Sequence, residues 1–202
     1  MAKILPNAST AELAREVDDF FMRRDRVWRT MERMSSRLRA EGIDYVIVGG
    51  MALVLHGYVR VTGDVDLVTT PEGLKAIHER LVGRGYRPAF EGSRKKLRDT
   101  ETGVDIEFIT TGEFPGDGKP KPVRFPEPKD VAVDRDGINV IALPKLIELK
   151  LASGLSAEHR RLRDLADVQD LIIALKLPRE LGDQIDPSVR DEFYRMWDAA
   201  QE

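Results

Sequence analysis

The stretch DYVIVGGMALVLHGYVRVTGDVDLVTT, residues 44–70, reads as three elements in close succession. DYVIV is a β-branched and aromatic run that ends in Gly49 and Gly50, which predicts a short strand followed by a turn. MALVLHGYV has the length and composition of a short helix, and DVDLVTT alternates Asp64 and Asp66 with Val65 and Leu67, the pattern of a second strand. Side chains two apart on a strand leave the same face, so Asp64 and Asp66 can hold a cation between them. The same alternation also suits a solvated acidic face. The glycine pair at a strand-to-helix junction would let backbone N–H groups and the helix N-terminus approach a phosphate, although a tight turn needing positive φ accounts for it equally well.

Working outward, Thr70 and Pro71 form an N-cap and first-turn pair for a helix through about Leu81, and GVDIEFIT alternates Val104, Ile106 and Phe108 against Asp105 and Glu107. This predicts a half-buried strand with an acidic face, from which Asp105 could complete the site. Three carboxylates with no cysteine or histidine cluster favour Mg²⁺ or Mn²⁺ over zinc, and two such ions suit in-line phosphoryl chemistry. Arg60 and Thr62 precede the acidic pair at two-residue spacing, so an extended segment brings them to the carboxylate side, within reach of phosphate or Asp66; a salt bridge explains Arg60 as well. His56 lies at the end of the short helix and suits a local capping role, and His78 and His159 have no ligand-like spacing with it.

Upstream, Ser9 and Glu12 have capping-box spacing, and Leu13, Val17, Phe20, Val27, Met31, Met34 and Leu38 recur at helical intervals toward Gly42. Arg23, Arg24, Arg26, Arg29, Arg33, Arg37 and Arg39 oppose only Asp25 and Glu32 along this helix. Of these, Arg26, Arg29, Arg33 and Arg37 would share one helical face, which could track an RNA backbone, be plainly solvated, or meet a partner. Arg94, Lys95, Lys96 and Arg98 form a second basic run, suited to a triphosphate, an RNA acceptor or solvent. Downstream, the prolines gathered between Pro115 and Pro128 exclude helix or central strand and read as a surface loop or linker. INVIAL predicts a strand, and helices follow at about 143–153, 156–176 and 187–200, with Pro144, Ser156, and Asp186 before Pro187 as start signals. Lys150 falls inside the apolar stripe of Leu143, Leu146, Ile147 and Leu151. A buried ammonium needs an anion, so Lys150 either pairs with Asp164, points toward a triphosphate, or snorkels to solvent. Asp164 and Asp167 also suit ordinary helix-surface pairing with Arg160, Arg161 and Arg163.

The expected organisation is an N-terminal helical arm over 1–42, a core over 43–142 and a helical C-terminal region over 143–202, an α/β (α+β) fold with a small mixed sheet flanked by helices. The 202 residues carry 32 Lys plus Arg against 35 Asp plus Glu, a formal charge of −3, so any nucleic-acid contact would be local. The absence of cysteine removes disulfides, thiolate zinc sites and cysteine nucleophiles. No run approaches the about 20 apolar residues that cross a bilayer, and the first residues lack a signal peptide's apolar stretch, so the expected location is the cytoplasm.

The segment VGGMALVLHGYVRVTGDVDLVTT resembles the signature of the polymerase-β-type nucleotidyltransferases, most closely the minimal AbiEii-like branch. The matched residues are Gly49, Gly50, Arg60, Thr62, Asp64, Asp66 and Leu67; GVDIEFI matches the third-carboxylate strand, and LPKLIELKLASG with RRLRDLADVQDLI matches the following helical segment through Lys150, Arg163, Asp164 and Asp167. The resemblance covers roughly residues 43 to 175, and Gly50 stands where the superfamily often has serine. It implies the nucleotidyltransferase fold, with Asp64, Asp66 and Asp105 as metal ligands. Asp105 would also orient or deprotonate the attacking hydroxyl. Gly49, Gly50, Arg60, Thr62, Lys150 and Asp164 would be nucleotide-binding positions, with Lys150 contributing to catalysis. The implied reaction transfers a nucleoside monophosphate from an NTP to an acceptor hydroxyl, releasing pyrophosphate, with tRNA or another RNA as a toxin-like acceptor and an antitoxin protein as partner. A small-molecule or protein acceptor, and a non-catalytic binding module on the same fold, are the rival readings.

Overall fold

A computed structural model gives the fold of residues 25–201, the side chains of residues 159–161 excepted. The expected helix start at Ser9 and Glu12, the apolar positions Leu13, Val17 and Phe20, and Arg23 and Arg24 lie outside the described residues, as do the side chains of His159, Arg160 and Arg161. The first described helix, α1 (Arg26–Ala40), begins where the Asp25 carboxylate accepts the Trp28 N–H at 2.8 Å. It ends before Gly42, whose φ of +64° breaks the helix. Val27, Trp28, Met31, Met34 and Leu38 are buried on one face, and α1 packs on the sheet against the strands introduced below as β2 and β7. The apolar periodicity is therefore satisfied within the chain.

The elements after α1 are β1 (Tyr45–Val48), α2 (Gly49–Leu55), β2 (Asp64–Thr69), α3 (Pro71–Leu81), β3 (Tyr86–Pro88), β4 (Lys96–Asp99), β5 (Asp105–Thr110) and α4 (Pro128–Val131). They continue with β6 (Ala132–Arg135), β7 (Ile138–Ile141), α5 (Leu143–Ser156), α6 (Glu158–Leu175), a 3₁₀ turn (Arg179–Gln184) and α7 (Pro187–Ala199). Among the described residues the seven strands form one mixed sheet in the order β3-β4-β5-β2-β1-β7-β6. The centre is parallel between β2 and β5 and between β1 and β7, whereas β1 and β2 run antiparallel. The expected α/β architecture with a small mixed sheet and flanking helices is what forms.

Local signals act as read at several points. Thr70 accepts the Gly73 N–H at 2.9 Å with Pro71 in the first turn of α3, and Asp186 accepts the Ser188 N–H at 2.9 Å ahead of Pro187 in α7. Ser156 does not start a helix. It is the last residue of α5, where its hydroxyl bonds back to the Ala152 carbonyl at 2.6 Å, and Ala157 takes the N-cap position of α6 without a side-chain bond. The proline-rich stretch forms neither helix nor strand between Thr110 and Pro128, and it docks on the end of α5 through Lys121 Nζ, which donates to Ser156 Oγ at 2.9 Å and to the Pro115 carbonyl at 2.6 Å.

A single cluster of buried apolar side chains runs from Val27 of α1 through β1, β2 and β5 to Phe193 and Met196 of α7. No described helix is long and apolar enough to cross a membrane. Met34 is fully buried, so Met34→Ala should lower stability by about 2–5 kcal/mol, the usual cost of truncating a core methionine. Urea unfolding of the full chain measures this, and a loss below about 0.5 kcal/mol would detach α1 from the core.

Candidate active site

Strand period and sheet register together build an acidic face. β2 and β5 pair in parallel with Asp64 opposite Asp105 and Asp66 opposite Glu107, so four carboxylates project from one side of two neighbouring strands. Their intervening residues Val65, Leu67, Ile106 and Phe108 are wholly buried on the other side. Glu107 shares the acidic face of β5 as the alternation in DIEFIT predicts, and the register between strands is what brings it beside Asp66.

The two glycines at the β1–α2 junction make room for this face. Gly49 has φ +62°, and a Cβ on it would stand 2.1 Å from Asp66 Oδ2. A Cβ on Gly50 would stand 2.7 Å from Thr62 Oγ1, and the Thr62 hydroxyl donates to Asp64 Oδ1 at 3.1 Å. The side chains packed against the turn are therefore the chain's own Asp66 and Thr62. Any side chain in place of Gly49 would both strain the backbone and displace a carboxylate.

β4 supplies the opposing charge. It pairs antiparallel with β5, placing Arg98 opposite Asp105 and Lys96 opposite Glu107. Arg98 Nε donates to Asp105 Oδ1 at 2.7 Å and Lys96 Nζ lies 3.7 Å from Oδ2. The Arg98 hydrogen bond, with help from the Lys96 charge, holds the Asp105 carboxyl below its ordinary range despite partial burial. Of the second basic run, Lys95 pairs instead with Glu113. Among the described residues no group of three or more His, Asp or Glu side chains is gathered tightly enough to cage a metal ion.

Arg60, Lys150 and Asp164 meet elsewhere, in a buried ionic cluster between the segment before β2 and helices α5 and α6. Lys150 Nζ donates to Asp164 Oδ1 at 3.1 Å and to Asp167 Oδ2 at 2.6 Å. Arg60 Nη1 donates to the same Asp167 oxygen at 2.6 Å, and Ser153 Oγ donates to Asp164 Oδ2 at 2.7 Å. Two cations face two carboxylates, so the cluster is neutral, as burial demands. Arg60 is thus drawn to Asp167 on α6, and Lys150 is paired rather than snorkelling. One turn on, the Tyr58 hydroxyl donates to Asp170 Oδ2 at 2.5 Å, which pushes its pKa up to about 12. Tyr58 and Asp170 are contacts that no local spacing signals, since they lie on separate elements. His56 sits at the C-cap of α2, yet its Nε2–H donates to the Ile141 carbonyl of β7 at 2.7 Å, and burial lowers its pKa.

No family model matches the chain, and no curated protein matches it. Solved structures do resemble it. A Thermotoga maritima protein named as a candidate nucleotidyltransferase is 21% identical, with 69% of this chain and 91% of its own covered and a TM-score of 0.47. An antigenic nucleotidyltransferase-like protein from Paracoccidioides brasiliensis is 15% identical, with 71% and 73% covered and a TM-score of 0.46. ANT(2″)-Ia, solved with adenylyl-2″-tobramycin, is 17% identical, with 83% and 84% covered and a TM-score of 0.35. At these values the likenesses transfer no residue role, substrate or partner to this chain.

The pairing of Asp105 has a pH signature. Because its folded pKa is depressed, the pair's stabilisation is present above the ordinary carboxylate range and is lost as pH falls through the folded pKa. Arg98→Ala should move the Asp105 pKa upward, read from its carboxyl ¹³C resonance; an unmoved titration would remove Arg98 as the cause. Asp167→Ala leaves Arg60 without its carboxylate and Lys150 with one, and should cost about 3–5 kcal/mol in thermal or urea unfolding.

Proposed function

We propose that this chain is a metal-dependent nucleotidyltransferase that moves a nucleoside monophosphate from an NTP to an acceptor hydroxyl and releases pyrophosphate. The observation that carries the reading is the acidic face of Asp64, Asp66 and Asp105 in register on β2 and β5, set beside the Gly49–Gly50 turn. The donor set fits Mg²⁺ or Mn²⁺: hard carboxylate oxygens in a small number, since magnesium is commonly held by one or two carboxylates together with substrate phosphates rather than by an all-protein cage. Asp64 and Asp66 would hold the ion, with Asp105 joining when Arg98 and Lys96 release its oxygens. When bound, the metal supplies charge stabilisation at the attacking and leaving oxygens of the transferred phosphoryl group.

The chain's own residues then position these groups. Thr62 orients Asp64 through its hydroxyl, Gly49 admits the Asp66 carboxylate, and Gly50 leaves room for Thr62. Arg60, Lys150 and Asp164, joined through Asp167, tie the segment carrying Thr62 to α5 and α6, so their ion pairs hold the chain where it enters β2. Arg98 and Lys96 place two cations beside the carboxylates, suited to meet the triphosphate once they leave Asp105. Asp105, held ionised, orients the acceptor hydroxyl or takes its proton in the same reading.

For the acceptor we propose an RNA end, tRNA or another RNA, in a toxin-like role with an antitoxin partner in the cytoplasm. This rests on the AbiEii-like signature and on the exposed Arg26, Arg29 and Arg37 along α1. Incubation with each labelled NTP, Mg²⁺ or Mn²⁺, and total cellular RNA tests both levels. Label should enter RNA and fall by at least about 10²-fold in Asp64→Ala plus Asp66→Ala, as expected when charge stabilisation of the transition state is removed. Label in protein or in a small molecule such as an aminoglycoside would relocate the acceptor. Pyrophosphate release that persists in the double variant would overturn the catalytic reading.

A further inference from the structure

Beyond the acidic face, the sheet carries a second concentration of charge on its opposite side. Along β4, Arg98 meets Asp105 on the carboxylate face, so its neighbour Asp99 points the other way, where Arg33 Nε of α1 lies 3.5 Å from Asp99 Oδ2. Between α1 and the turn before β3 opens a cavity of about 380 Å³, lined by Arg33, Ser36, Arg37, Arg84 and Tyr86. Three guanidinium groups from two elements distant in sequence converge on it. Of the three, only Arg33 has carboxylate partners among the described residues, namely Asp99 and Glu101.

Two features distinguish this place from a solvated basic surface. Tyr86 is 2% exposed, and its hydroxyl, turned toward the Arg33 guanidinium, has no partner at full hydrogen-bonding geometry, with Arg37 and Asp99 also close by. Gly85, at φ +101°, takes a left-handed conformation that side-chain-bearing residues rarely adopt, and its turn brings Arg84 and Tyr86 beside α1, with Arg33 Nη2 3.7 Å from where a Cβ on Gly85 would stand. Attraction to the C-terminal end of α1 accounts for Arg37 but not for Arg84, which arrives from another element.

We propose that this cavity is a second anion site that takes a phosphate group, separate from the carboxylate face, with Arg37 and Arg84, neither paired with a carboxylate among the described residues, supplying two guanidinium forks and Arg33, braced by buried Asp99, the third. Planar guanidinium groups match phosphate oxygens two at a time, which a lysine cluster does not. Glu101 is 58% exposed at its side chain and can leave Arg33 for solvent when a phosphate arrives, while Asp99, wholly buried, stays and keeps Arg33 oriented. The cavity is larger than a phosphate alone, so the rest of a phosphorylated molecule or an adjoining nucleotide has space. The inference does not depend on the proposed transferase reaction.

The test uses the full chain without divalent metal, labelled with ¹⁵N and followed through arginine side-chain and backbone amide resonances. Inorganic phosphate is titrated first and a single-stranded RNA ten-mer second. Saturable shifts at Arg33, Arg37, Arg84 and Tyr86 are expected, and Arg37→Glu plus Arg84→Glu should weaken them by about tenfold or more. Lys75→Glu, on the exposed face of α3 and outside the cavity, should leave phosphate binding unchanged. Both substituted positions in the double variant are exposed, and Arg84→Gln alone serves if that variant fails to fold. RNA binding tighter than phosphate by about tenfold, with a salt slope that shrinks in the double variant, identifies a nucleic-acid strand as the source; equal affinities identify a free phosphorylated compound. Absence of shifts with either probe, or shifts that survive the double substitution, overturns the site.

Discussion

The parallel pairing of β2 with β5 is the constraint on which the rest depends. Six residue pairs in register, from Asp64 with Asp105 to Thr69 with Thr110, commit one face of both strands to carboxylates and the other to the core. A slip of β2 by one residue against β5 would turn Val65 and Leu67 to the acidic side and bury Asp64 and Asp66, so hydrophobic burial on one face sets the geometry on the other. The catalytic proposal is a consequence of that choice, because no single strand holds all the acidic groups.

Gathering Asp64, Asp66, Asp105 and Glu107 on one surface creates repulsion that the fold offsets locally. Arg98 and Lys96 do so from β4, and the Thr62 hydroxyl does so for Asp64. The compensation is partial and exchangeable: Arg98 and Asp105 are both open to solvent, so their pair is screened and contributes modestly to stability. That suits a site whose cations change partner when an anionic substrate arrives. The cluster of Arg60, Lys150, Asp164 and Asp167 behaves differently, since it is buried and balanced. Such a cluster adds little over an apolar equivalent, yet losing one member is costly, so it specifies one docking of α5 and α6 against the segment before β2.

Sequence patterns expose elements whose reason for forming is local. The caps at Thr70 and Asp186, the alternation in DVDLVT and DIEFIT, and the helical stripes of α1 and α5 are all visible at short range, and the structure forms those elements close to the expected boundaries. β3, β4 and β6 are not visible in that way. They are three or four residues long, β3 contains Pro88, and β4 is mostly charged, so they exist because a neighbouring strand offers its backbone groups. Ser156 misleads for a related reason: its hydroxyl satisfies the α5 backbone behind it instead of the helix ahead.

By itself, then, the sequence determined which residues are acidic neighbours on a strand, where the glycine turn falls and that a lysine at position 150 would need an anion, because period, backbone freedom and desolvation act on residues a few positions apart. Only the tertiary structure decided which groups meet. It placed Glu107 beside Asp66, gave Asp105 to Arg98 and Lys96, drew Arg60 to Asp167 instead of Asp66, and assembled the arginine cavity from α1 and the turn before β3. Each of these contacts joins segments whose separation along the chain carries no information about their distance in space; strand register and helix docking, both selected by burial of the opposite faces, supply it.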